Sequence, residues 1–121
     1  MGLYAEKLGI PKENIIYECE AEHSTENVYY SLNIARNKGF NNVALATDPF
    51  QNNMLKNFIK DQGLNVKTIP IVFSIIDSVA VQDPVINQEE AYCKNFVSIK
   101  DRESFFKRFK GTLGKNIKRN D

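Results

Sequence analysis

The order of apolar and polar residues predicts an α/β fold. Two observations carry it: short β-branched or small apolar runs alternate with amphipathic stretches about a dozen residues long across residues 14–76, and each stretch opens on capping residues and closes on glycine. Crossover helices of that length argue for parallel strands joined in right-handed βαβ units, with helices packed on the faces of the sheet.

Gly2 to Gly9 reads as a short helix with Leu3, Ala5 and Leu8 inward, closed near Gly9 and Pro11. Asn14 to Glu18 carries β-branched and aromatic residues and predicts a first, buried strand. Ser24 or Thr25 is placed to cap a second helix over 25–38, with Val28, Leu32 and Ala35 on one face and Gly39 as its stop. Asn42 to Thr47 predicts a second strand, its small apolar residues suited to cover on both faces.

Asp48, Pro49 and Gln51 form a capping pattern for a third helix reaching Gln62, with Met54, Leu55, Phe58 and Ile59 inward and Gly63 at its end. Val66 to Ile76 predicts a third strand, interrupted at Pro70. Residues 77–100 are less regular, with a turn at Asp83-Pro84, a helical turn at Gln88–Tyr92 and a short strand at Phe96–Ile99. The organisation expected is an α/β domain over 1–100 and a basic amphipathic helix and tail over 101–121.

Glu18 to Asn27, ECEAEHSTEN, places four carboxylates, one thiol and the only histidine in ten residues. Such a loop stands where α/β sheets hold ligands, at the carboxyl ends of their strands. It also reads as a solvated helix start, because the helix dipole favours Glu in a first turn. The other strand ends are Thr47–Gln51 and Ser74–Asp77, and the three are expected to converge. Candidate ligand-binding residues are Glu18, His23, Ser24, Glu26, Asn27, Thr47, Asp48 and Gln51.

Carboxylates crowded together raise one another's pKa, which tunes a general acid or base. His23 would be a proton carrier or metal ligand, or simply a loop residue. Cys19 and Cys93 have no metal-ligand spacing, and the residues leave any cofactor unknown.

With 42% hydrophobic and 26% charged residues, the 121-residue chain has the balance of one globular domain rather than of a disordered segment. Cys19 and Cys93 leave the redox compartment open. No apolar run reaches the roughly 18 residues of a membrane helix, and the N-terminus lacks the regions of a signal peptide.

Charge is unevenly spread: residues 99–121 hold 8 basic and 3 acidic side chains. Phe105, Phe106 and Phe109 share one side of the tail helix, ringed by Arg102, Lys107, Arg108 and Lys110. They are expected to dock on the sheet domain with the lysines facing water. The alternative is an anionic membrane surface.

The run LGIPKENIIYECEAEHSTEN, then a helix, then NNVALATDPFQNNML, resembles the YdcF-like family, the domain of unknown function also found in SanA and ElyC. Gly9-Ile10-Pro11, Glu18, Ala21, Ser24, Glu26, Asn27 and Thr47 match that family's pattern, with Ser24 where Thr is usual. Asp48 stands at the family's Ser, Gln51 at its His and Met54 at its Arg, so a cationic pair suited to an anion is absent. The glycine-rich strand-loop with which the family begins is also missing, so the chain is expected to be the C-terminal part of such a domain, with Met1 internal.

The resemblance implies a three-layer α/β/α Rossmann-like sandwich with a mainly parallel sheet. It implies a cell-envelope role at the inner membrane or periplasm for the full-length protein, and a nucleotide-like or S-adenosylmethionine ligand. No single reaction comes with it. The expected function is binding of a small anionic or nucleotide-like molecule. The alternative is a non-catalytic module that self-associates, as a homodimer through an exposed strand edge, or binds a membrane through its tail. No nucleic-acid partner is expected.

Overall fold

The computed structural model describes residues 1–79 and 82–119; residues 80, 81, 120 and 121, which fall in the irregular segment and the tail of the sequence reading, lie outside them. Helix α1 spans Gly2–Lys7, α2 Ser24–Asn37 and α3 Pro49–Asp61. Strand β1 is Ala44–Thr47 and β2 Lys67–Pro70, and α4 covers Phe73–Ser78, α5 Ile99–Arg102 and α6 Phe105–Thr112.

β1 and β2 pair in parallel, with Ala44 opposite Lys67 and Thr47 opposite Pro70. Bonds from Lys67 N–H to Val43 O (3.0 Å) and from Ile71 N–H to Thr47 O (2.9 Å) extend the ladder at each end. α3 connects the two strands, as a parallel crossover requires. The chain is therefore α/β with a small parallel sheet.

α2 and α3 lie against each other on one face of the sheet. Leu45 points toward them and joins a core of Val28, Leu55 and Phe58, flanked by Tyr29, Ile59, Leu64 and Ile117. Side chains alternate along a strand, so Ala44 and Ala46 point to the opposite face, where they and Ile69 are exposed. The tail closes the far side of the helix pair: Gly114 lies against the Phe58 ring, where a Cβ would overlap it, and Ile117 enters the core.

Four expectations are corrected. Asn14–Glu18 is no strand: Lys12–Asn14 forms a 3₁₀ turn, and the extended residues beyond it have no neighbouring strand to complete a ladder among the described residues. The third strand stops at Pro70, with one further bond from Ile71 N–H, and Phe73–Ser78 turns into α4 instead. Phe96–Ile99 is also not a strand, and Ile99 opens α5 behind the Ser98 cap. Met54 is exposed; Asn52 takes its place on the buried face of α3.

The tail helix is in two pieces, because Ser104 caps a new start by accepting from Lys107 N–H. Its phenylalanines do not dock: all three are exposed, and Gly111 is the residue that meets the body. Among the described residues no helix is long and apolar enough to cross a membrane.

Candidate functional site

The loop after Tyr17 is shaped by its own carboxylates. Glu18 Oε1 accepts the N–H groups of Glu20 (2.7 Å) and Ala21 (3.0 Å), which turns the chain back toward the sheet. Glu26 Oε2 accepts the N–H groups of Glu22 (2.9 Å) and His23 (3.2 Å). His23 is thereby the cap residue of α2, not Ser24 or Thr25. The Thr25 hydroxyl is committed elsewhere, donating to Gly111 O at 2.6 Å in a buried contact with α6. At the start of α3 the Asp48 carboxylate accepts Gln51 N–H at 2.9 Å, as the capping pattern predicts.

These two helix starts and the carboxyl end of β1 border an open cavity of about 360 Å³. Its polar wall is Ser24, Asn27, Thr47 and Gln51, with Glu22 and His23 at the rim, and its floor is apolar, built from Val28, Leu45 and Leu55. The volume falls at the lower end of small-molecule sites, and the lining is more polar than is usual for them. At these starts the His23 and Gln51 N–H groups are taken by the Glu26 and Asp48 carboxylates, and Pro49 has no N–H, so the polar character of the lining comes mainly from its side chains.

Of the eight residues singled out in the sequence, the structure brings His23, Ser24, Asn27, Thr47 and Gln51 to this cavity. Glu18, Glu26 and Asp48 are not part of its wall, since each carboxylate is bound to backbone N–H groups as a cap or turn. The Ser74–Asp77 corner does not converge either, because it lies in α4. Among the described residues no three His, Cys, Asp or Glu side chains come together as a metal site.

The charged rim is neutralised by α5 and α6. Arg102 pairs with Glu22, and His23 Nε2 lies 3.2 Å from Glu103 Oε2. Glu103 is buried and is bound a second time by Lys107 Nζ at 2.8 Å. The Lys107 ammonium, helped by the His23 ring and opposed by burial, holds the Glu103 carboxyl below its ordinary range; Glu103 in turn raises Lys107.

The sequence reading missed Arg102, Glu103, Lys107 and Gly111 as supports of the site. Only the Glu103–Lys107 spacing of four had a local signal, as a helical ion pair. Contacts to His23 and Thr25 from 80 and 86 residues away leave none.

A second hollow of about 450 Å³ lies between α2 and the tail, lined by Glu20, Glu22, Glu26, Arg102, Glu103 and Lys107 among others. Two pairs within it, Arg102 with Glu22 and Lys107 with Glu103, tie α5 and α6 to the loop before α2. No protein-family model, curated protein or solved structure matches this chain.

Proposed function

We propose that the chain is the ligand-binding part of a YdcF-like α/β domain, and that the cavity at the end of β1 takes a small anionic or nucleotide-like molecule. The observation that carries this is the convergence of two helix N-termini, α2 and α3, with the end of β1 on a cavity lined by Ser24, Asn27, Thr47 and Gln51. A polar group there would be held chiefly by the neutral side chains of Ser24, Asn27, Thr47 and Gln51, since the Glu26 and Asp48 carboxylates already occupy the His23 and Gln51 N–H groups.

The three-layer sandwich belongs to the same proposal. The face of the sheet bearing Ala44, Ala46 and Ile69 suits a further helical layer, and the outer edges of a two-strand sheet suit further strands. A cell-envelope role rests on the resemblance alone. Binding is proposed rather than catalysis, since Glu18, Glu26 and Asp48 are engaged by backbone and the two ionisable rim residues, Glu22 and His23, by side chains of the tail.

Titration of the ¹⁵N-labelled chain with inorganic phosphate, adenosine monophosphate and S-adenosylmethionine tests the reading. Shifts are expected in residues 21–28 and 45–55 with at least one probe, and Asn27→Leu is expected to remove them while leaving the thermal midpoint close to the parent's. Shifts scattered over the surface, or none at millimolar probe, would overturn the assignment.

A further inference from the structure

α6 is amphipathic in the inverted sense. At about 100° per residue, Phe105, Phe109, Leu113 and Phe106 fall within an arc of about 100° that is centred half a turn from Gly111. Gly111 is the point at which the helix meets the body: the His23 ring lies against it and Thr25 donates to its carbonyl. The apolar arc therefore points straight away from the protein, with Phe105 69%, Phe106 75%, Phe109 56% and Leu113 50% exposed. The contacts of Glu103 with His23 and Lys107 fix the start of the helix in that orientation.

Charge accompanies the arc. Lys110 borders it and Lys115, Lys118 and Arg119 follow in the tail, with no acidic residue over 105–119, whereas Lys107 and Arg108 lie on the Gly111 side of the helix, Lys107 paired with Glu103. We propose that this face is a docking surface for an anionic lipid bilayer, with the phenylalanines entering the headgroup boundary and the basic side chains reaching lipid phosphates.

Charge decides between occupants. A second copy pairing across a two-fold axis would set this basic segment against itself, since such an interface uses the same patch on both partners. A basic cluster of about 4–8 residues beside an apolar arc matches anionic lipid on both counts. The Phe105 and Phe106 rings meet edge to face, with centroids 5.9 Å apart and planes at 78°, so they form no flat platform for stacking nucleobases.

The chain has no tryptophan, so Phe106→Trp places a single fluorescent reporter in the arc. The full chain carrying it is expected to float with phosphatidylcholine vesicles containing about 30% phosphatidylglycerol, with a blue-shifted emission, and not with phosphatidylcholine alone. High salt should release it. Adding F105S and F109S, both at exposed positions, should weaken binding about tenfold or more with the circular dichroism unchanged, and K110E with K115E should do the same.

Three results would overturn the proposal. One is no flotation with anionic vesicles. Another is flotation that F105S/F109S leaves intact and a single-stranded oligonucleotide competes away, which would make the face a general polyanion site. The third is a dimer that those substitutions convert to monomer, which would make it an interface between copies.

Discussion

At the scale of single residues, Gly111 and Thr25 decide whether α6 can lie on the start of α2. Replacing glycine by alanine in a helix ordinarily gains up to about 1 kcal/mol. Here a Cβ would overlap the His23 ring, so Gly111→Ala is expected to lower the urea midpoint, and a raised midpoint would show that the ring yields freely. Thr25 is 3% exposed and its hydroxyl reaches Gly111 O. Thr25→Val keeps the shape and leaves that carbonyl without its donor, a loss of about 1–3 kcal/mol measurable by chemical denaturation. Neither contact has a trace in the local sequence, where Thr25 reads as a cap and Gly111 carries no signal of its own. His23 replaced Thr25 as cap because the Glu26 carboxylate reaches back over three residues to its N–H.

Among the elements, those with their own start and stop signals were legible. α3 begins and ends where Asp48, Pro49 and Gly63 place it, and α2 ends at the Gly39 stop. The elements that depend on a neighbour were not: Asn14–Glu18 has a strand's composition, but a strand exists only with a partner, and Val72–Ser78 has an apolar run that fits either a strand or a helix. The site followed the same division only in part: Ser24, Asn27 and Gln51 from the starts of α2 and α3 reached the cavity, Glu26 and Asp48 from the same starts are used as caps, and Glu18 from the expected first strand did not reach it.

Between elements, the α5–α6 junction makes a pH-dependent clasp. The Glu103 carboxyl is lowered in the fold, so its contribution is present above the ordinary carboxylate value of 4.5 and is lost as pH falls through its folded value. Lys107 is raised, so its contribution is present below its ordinary 10.5 and is lost as pH rises through its folded value. Glu103→Gln should therefore be less stable than the parent at neutral pH, with the difference closing on acidification. A difference that persists at acid pH would assign the effect to packing.

For the whole molecule, surface area is the governing quantity. The chain exposes 9919 Å², against about 6,600 Å² for a compact monomer of its mass. Unfolding from this structure thus exposes about three quarters of the area expected for a domain of this size, and the urea m-value should be reduced in the same proportion. A full-sized m-value that grows with protein concentration would mean that the bare sheet face is covered in solution.

The ties from Thr25 to Gly111 and from His23 to Glu103 also have a bearing on biosynthesis. A ribosome adding about 5–20 residues per second needs about 4–17 s to travel from the first of these threonine and glycine partners to the second. The residues of the cavity at the end of β1 all emerge early, yet the rim histidine finds its seat only once Glu103 has left the exit tunnel. During that interval a nascent chain would hold that corner unbraced, and any chaperone or small molecule that meets it then encounters a different object from the folded protein.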